Sequence, residues 1–130
     1  MLGRLRPRSD DAGFTFVELM TVVVIIGILA GIAVPLLMNN KRRGYQASLE
    51  RTLRDAATAQ EAKLAEGGNY AADVDGLHAE GFRATESVQM SVELVPGGYC
   101  IEATRPGAEQ PLYITNSGPA AGRPTSEACR

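Results

Sequence analysis

A single acidic residue, Glu18, lies near the start of an otherwise apolar run. The run covers residues 13–38, GFTFVELMTVVVIIGILAGIAVPLLM. An ionised side chain inside a membrane-spanning segment costs on the order of 2.5–3.5 kcal/mol at mid-depth on insertion scales, and such a residue usually marks a function. Because a buried charge is tolerated only when it has a partner, the chemistry available to Glu18 is charge pairing.

The residues around Glu18 form a recognisable junction. A short polar leader, MLGRLRPRSDDAG, ends at Gly13, the aromatic Phe14 follows directly, and Glu18 is the fifth residue after the junction. Gly27 and Pro35 then interrupt a Val/Ile/Leu-rich stretch. In these features the chain resembles the type IV prepilin family, and within that family it looks most like a major pilin.

The resemblance implies how this segment is processed and used. In the family, a membrane peptidase cuts after the glycine on the cytoplasmic side, here between Gly13 and Phe14, and the new amino group of Phe14 is methylated. The glutamate at the fifth position supports assembly, a role that the resemblance assigns to Glu18. The charge argument agrees, because Glu18 of a neighbouring subunit would neutralise the amine as subunits stack.

The element that must position these residues is a helix. About 20 apolar residues at 1.5 Å each span a hydrocarbon core, so residues 14–38 can form one membrane helix. Pro35 lacks a backbone donor and clashes with the preceding turn, and glycine costs about 1 kcal/mol relative to alanine. Residues 27–35 should therefore be the soft part of the helix. In filaments of related pilins this stretch loses helical structure, which the resemblance implies here.

Two other interpretations of the apolar run stay open. A secretory signal peptide would begin with the charges of residues 4–8 and be cut after Ala33, although Glu18 and Pro35 argue against it. A plain single-span anchor would carry Glu18 incidentally, because charges near helix ends reach the interface cheaply. The basic residues 41–43 follow the run, so the positive-inside rule alone favours the orientation opposite to that of a pilin.

Beyond Met38 the chain becomes polar but keeps a helical pattern. Only Gly44 weakens the connection between residues 39–66 and the apolar run, so one long helix is predicted, and Gly67 and Gly68 stop it. Apolar residues at i, i+3 and i+4 spacing form an amphipathic stripe on this second part. The stripe consists of Tyr45, Leu49, Leu53, Ala56, Ala57, Gln60 and Leu64.

The rest of the chain, residues 67–130, predicts a small β head. After a connecting loop over residues 69–86, residues 87–95 and 99–104 alternate between apolar and polar, and a shorter third strand covers residues 111–115. These segments predict a three-stranded antiparallel meander packed on the helical stripe, an α+β fold. The apolar face of the first strand consists of Val88, Met90, Val92 and Leu94.

Two cysteines, Cys100 and Cys129, lie in the part of the chain that would be exported, where a disulfide persists. Closing a loop of about 30 residues would stabilise the head by roughly 3–4 kcal/mol in the chain-entropy model. Two free buried thiols are the alternative. The resemblance favours the bridge, because many pilins have a disulfide-bounded carboxyl-terminal region, here the tail at residues 116–130.

Residues suited to catalysis or metal binding are sparse. The one histidine, His78, lies in the predicted loop without a nearby cysteine, which favours a solvated residue. Residues 73–76, Asp-Val-Asp-Gly, resemble the opening of a calcium loop, but no glutamate follows at the required spacing, which favours a turn. A net charge of −2 gives no global basic surface for nucleic acid. We expect no enzyme, metal or cofactor, and make no prediction about nucleic acid.

The predicted domains are a cleaved leader (1–13), a transmembrane or filament-core helix (14–38), its amphipathic continuation (39–66) and the head (67–130). The resemblance implies a single-pass inner-membrane precursor that enters an extracellular pilus for adhesion, twitching motility or DNA uptake. Its partners would be other copies in a helical homopolymer, the prepilin peptidase, the inner-membrane assembly machinery and, before assembly, membrane lipid. A type II secretion-like pseudopilin or a minor pilin is the closest alternative, and a singly anchored or secreted binding protein is the alternative from another class.

Overall fold

A computed structural model describes residues 13–129, so the predicted leader lies outside the described residues except for Gly13. The chain divides into two compact units, an amino-terminal unit up to Leu37 and a carboxyl-terminal unit from Met38 onward. The elements are α1 (Phe16–Gly67), α2 (Val74–Ala79), β1 (Gln89–Val95), β2 (Gly98–Thr104) and β3 (Leu112–Thr115).

Helix α1 confirms the prediction of one long helix and remains helical through Pro35. An 18-residue window within it has a mean hydropathy of 2.7, so the helix is long and apolar enough to cross a membrane, judged by length and composition. At the other end the backbone leaves the helix at Gly68, whose φ is 71° and whose N–H donates to Leu64 O at 2.8 Å. Glycine adopts this left-handed conformation without steric cost, which explains why α1 ends there.

The core of the carboxyl-terminal unit forms where α1 packs on the sheet. The strands are antiparallel in the order β1-β2-β3, which confirms the predicted meander and the α+β fold. The central strand β2 is buried over Gly98–Ile101 and at Ala103, and only Glu102 and Thr104 are half-buried. The buried core residues are Leu49, Leu53, Ala56, Ala59, Ala71, Leu77, Phe82, Tyr99, Ile101, Ala103, Leu112 and Ile114.

The predicted loop at residues 69–86 was wrong, because it contains helix α2. Asp73 caps this helix, and its Oδ1 accepts a hydrogen bond from Gly76 N at 2.7 Å. Leu77 is fully buried and anchors the short helix in the core. His78 therefore lies on a helix rather than in a loop.

The predicted burial of β1 was also partly wrong. The strand begins at Gln89, because Ser87 has a φ of 66° and Val88 N donates to Thr85 O at 3.0 Å in a turn. As an edge strand, β1 is covered less than β2, and Leu94 remains 49% exposed. Leu64, predicted to belong to the packed stripe of α1, is only half-buried.

The tail is tied to the sheet as predicted. Cys100 and Cys129 form a disulfide with a Cα–Cα distance of 5.9 Å. Tyr113 and Thr125 exchange two backbone hydrogen bonds of 2.8 Å each, so the tail pairs with the outer edge of β3. The bridge and this pairing together hold a segment that has no apolar pattern of its own.

Candidate functional site

The junction residues lie at the start of α1, and Thr15 caps the helix. Thr15 Oγ1 accepts a hydrogen bond from the backbone N–H of Glu18 at 3.2 Å, and Thr15 O accepts one from Leu19 N at 3.2 Å. Thr15 and Glu18 have the spacing of a capping box, a signal that the sequence analysis did not use. Glu18 lies in the first helical turn, where a carboxylate interacts favourably with the helix dipole.

Gly13 and Phe14 precede the helix and are exposed, with Phe14 at 75%. A Cβ added to Gly13 would meet no atom within 4 Å, so packing inside this chain does not require glycine there. The peptide bond between the two residues is therefore accessible to another protein. A requirement for glycine at this position would have to come from that protein.

The apolar side chains of the amino-terminal unit pack into no core among residues 13–129. Within the described residues, every exposed large apolar side chain except Leu94 lies between Phe14 and Met38. Soluble monomers rarely expose contiguous apolar patches above a few hundred Å². Burying one large apolar side chain stabilises by about 1.5–3 kcal/mol. This surface will therefore associate with lipid or with other apolar helices.

Gly27, Gly31 and Pro35 interrupt this surface without a structural reason inside the chain. A Cβ at either glycine would meet nothing within 4 Å. Because the two glycines are four residues apart, they lie on the same helix face, where small residues allow another helix to approach closely. Pro35 has no N–H to donate to the carbonyl of Gly31, so the helix loses one hydrogen bond there.

Ionisable groups of the carboxyl-terminal unit serve the fold. Lys63 Nζ pairs with Glu80 Oε1 at 3.0 Å. Burial raises the pKa of Tyr99 to about 12, and the charges of Glu61 and Tyr70 add to the effect. Desolvation and the hydrogen bond to Glu102 at 3.2 Å raise the pKa of Tyr113.

His78 and the acidic residues near it form no metal site. The imidazole stacks on Phe82, with ring centroids 6.1 Å apart, and its Nδ1 is 3.7 Å from Asp75 Oδ1. Asp73 Oδ1 is occupied by the cap of α2. Among residues 13–129, no three His, Cys, Asp or Glu side chains are grouped so that they could hold a metal ion.

Gln60 has a role that sequence reasoning missed. Its side chain is fully buried, its Nε2 donates to Ala71 O at 3.0 Å, and its Oε1 accepts from Ala71 N at 2.7 Å. The amide thus satisfies both backbone groups of a buried residue in the segment after α1. A polar residue in the middle of an apolar helical stripe was the available signal.

Comparisons with known proteins match the amino-terminal segment and, in one case, most of the chain. A family described as "Prokaryotic N-terminal methylation motif" matches residues 8–34. The type IV major pilin protein PilA of Myxococcus xanthus is 41% identical over 69 residues, which are 53% of this chain and 30% of that protein. The chain thus aligns with less than a third of that relative's length.

Two further relatives differ in how much of the chain they match. The type IV wide pilus major component PilA4 of Thermus thermophilus is 28% identical over 124 residues, covering 88% of this chain and 95% of that protein. The type II secretion system core protein G of Escherichia coli is 49% identical over 39 residues, covering 30% of this chain and 27% of that protein.

Proposed function

The chain belongs to the type IV pilin family, and from this premise we propose that it is a major-pilin-like structural subunit of a type IV pilus. It is made as a membrane-anchored precursor, cut between Gly13 and Phe14 by the prepilin peptidase, methylated on Phe14, and assembled into a helical surface filament. The filament serves adhesion, twitching motility or DNA uptake.

One observation carries this proposal, namely a carboxylate at the start of a helix whose apolar surface has no partner in the chain. Phe14 is exposed and Glu18 lies in the first turn of α1. A subunit that enters a bundle of such helices buries this surface and gains several kcal/mol of hydrophobic stabilisation. The new amine of one copy then pairs with Glu18 of the next, and no uncompensated charge is left in the bundle.

The proposed domains follow from this mechanism. Residues 1–13 are the leader, residues 14–38 the transmembrane and filament-core helix, residues 39–66 its amphipathic continuation, and residues 67–130 the head. Gly27 and Pro35 loosen the core helix during assembly. The partners are other copies, the peptidase, the inner-membrane assembly machinery and, before assembly, lipid.

A type II secretion-like pseudopilin is the second candidate, supported by the identity to the E. coli core protein G. That alignment covers 30% of this chain, whereas the alignment to the Thermus pilus component covers 88%. The longer alignment favours the pilus. A pseudopilin stays in the envelope, whereas a major pilin dominates fibres sheared from the surface.

Mass spectrometry of the mature chain in sheared surface fibres tests the proposal. We expect an amino terminus at Phe14 that carries one methyl group. Gly13→Val should remain uncleaved and yield no fibres, because a branched side chain does not fit the peptidase, whereas Gly3→Val at the other leader glycine should be processed normally. A mature amino terminus at Val34 would instead place the protein among secreted proteins.

A further inference from the structure

A basic segment, Lys41 to Arg43, follows the apolar run and is exposed. Within residues 13–129, no carboxylate forms an ion pair with any of its three side chains. The described chain beyond it, residues 44–129, contains twelve acidic and six basic residues. The basic segment therefore has the opposite charge to the surface that another copy of this chain would present.

A groove in the carboxyl-terminal unit offers acceptors for those cations. This tail groove has a volume of about 540 Å³ and runs between α1, the start of β3 and the tail. Two carboxylates, those of Glu50 and Glu127, line it. The residues that line it are Gln46, Glu50, Gln110, Leu112, Ala120, Pro124, Thr125, Ser126 and Glu127.

The acceptors in the tail groove lack strong donors among residues 13–129. Within the described residues, Glu127 forms no ion pair, and Glu50 meets Arg54 only at 3.9 Å between two exposed side chains, a contact that contributes little. Gln46 Oε1 is buried and accepts no hydrogen bond from residues 13–129. The two carboxylates that line the tail groove therefore favour a cationic donor from another molecule.

We propose that the tail groove receives the basic segment of a second copy of this chain. The inference rests on the proposed filament function and names the electrostatic contact between adjacent subunits. An arginine guanidinium has five donors in a planar fork. Arg42 or Arg43 therefore offers enough donors for the carboxylates of both Glu50 and Glu127, which line the tail groove.

Two equal spacings along the chain are consistent with contacts to a single neighbouring subunit. Arg42 precedes Gln46 by four residues, and Phe14 precedes Glu18 by the same number. Arg42 and Gln46 both lie in α1, where four residues at 1.5 Å each correspond to a rise of about 6 Å. A neighbour displaced along this part of α1 by that distance brings its Arg42 level with Gln46 at the tail groove.

Charge reversal with co-expression tests the contact in the full-length chain. The segment variant is Arg42→Glu with Arg43→Glu, and the groove variant is Glu50→Lys with Glu127→Lys. Each variant expressed alone should lower the yield of sheared fibres by at least about tenfold, which corresponds to about 1.4 kcal/mol per added subunit. Co-expressed, the two should form mixed fibres at near wild-type yield, because each segment then meets a groove of opposite charge.

A contact within one chain predicts a different result, because co-expression would leave both variants defective. That pattern overturns the proposal, and it assigns the basic segment to its own helix or to an anionic lipid surface. Full fibre yield from either variant alone overturns it as well. Failure of the wild-type chain to form fibres would instead reject the proposed function.

Two controls keep the test specific. Arg51→Glu, an exposed reversal on the same helix, should leave the fibre yield nearly unchanged, and an equal loss there would show that net charge rather than the tail groove matters. Glu127→Lys alone is a second groove variant for the case that the change at Glu50 disturbs α1. Glu127 is exposed in the tail, so Glu127→Lys leaves the core intact and should also be rescued by the segment variant.

Discussion

The two compact units differ in where their apolar side chains find partners. In the amino-terminal unit, no residue of the most apolar 18-residue window is buried within the described chain. In the carboxyl-terminal unit, residues such as Leu53, Ile101 and Leu77 are fully buried in one core. The second unit therefore satisfies its apolar residues by itself, and the first depends on contacts with other molecules.

Two glycines of the carboxyl-terminal unit differ from the two in the apolar part of α1, although other glycines of both units have open space around them. A Cβ at Gly98 would overlap Asn116 Oδ1, and one at Gly107 would come within 2.8 Å of the Tyr45 ring. Both positions are thus explained by packing in the chain. Gly27 and Gly31 have open space around them. Close packing within the described chain thus accounts for Gly98 and Gly107, whereas no contact within it accounts for Gly27 and Gly31.

The largest effect is expected from Glu18→Gln, which tests the dependence of the amino-terminal unit on other copies. Synthesis, membrane insertion and cleavage should continue, but sheared fibres should be lost, because breaking one side of a buried ion pair costs about 3–5 kcal/mol for every added subunit. The amount of cleaved subunit in membranes, compared with the amount in sheared fibres, measures this loss. Glu66→Gln, at an exposed position of α1, is the control. Wild-type fibre yield from Glu18→Gln would reject the pairing.

Gln60→Ala should produce the largest loss of stability in the carboxyl-terminal unit. The variant leaves the N–H and C=O of Ala71 buried without partners, which should lower the free energy of unfolding by roughly 2–5 kcal/mol. Thermal unfolding of the purified chain in detergent, followed by near-ultraviolet circular dichroism, measures the change. Gln89→Ala on the exposed face of β1 should have little effect. Equal stability of the two variants would mean that the Gln60 amide contributes nothing to the free energy of unfolding.

Cys129→Ser should destabilise the tail and sheet by about 3–4 kcal/mol, the value for a loop of this length in the chain-entropy model. The apolar part of α1 should keep its helical signal, because the bridge joins only residues of the carboxyl-terminal unit. Cys100→Ser should behave in the same way. Alkylation of the unreduced wild-type protein should detect no free thiol, and labelled cysteines there would contradict the bridge.

The smallest effect is a dependence on alkaline pH. Because folding raises the pKa of Tyr99 from 10 to about 12, the folded state holds its proton more tightly than the unfolded state. This contribution to the free energy of unfolding is on the order of 2 kcal/mol. It is fully present below pH 10 and is lost as the pH rises to about 12. Tyr99→Phe should flatten the decline of melting temperature in that range. An equally steep decline in the variant would assign it to other groups.

The sequence by itself determined the main extent of α1 and the order of the three strands. The apolar run and the stripe that contains Leu49 and Leu53 predict α1 because a helix repeats every 3.6 residues. The alternation of apolar and polar residues in β2 predicts a strand, because it matches the two-residue repeat of that element. The two cysteines left a bridge or two free thiols open, and the structure shows the bridge between Cys100 and Cys129.

The tertiary structure determined the contacts between distant segments, which the local sequence pattern does not predict. The clamp between Gln60 and Ala71 and the exposure of Leu94 on an edge strand depend on which segments become neighbours. The tail groove exists only because the tail packs beside α1 and β3. Local periodicity fixes the direction of a side chain relative to its own element. The hydrogen-bond partner of a polar side chain and the residues that pack over a strand lie far away in the sequence, so they depend on the tertiary fold.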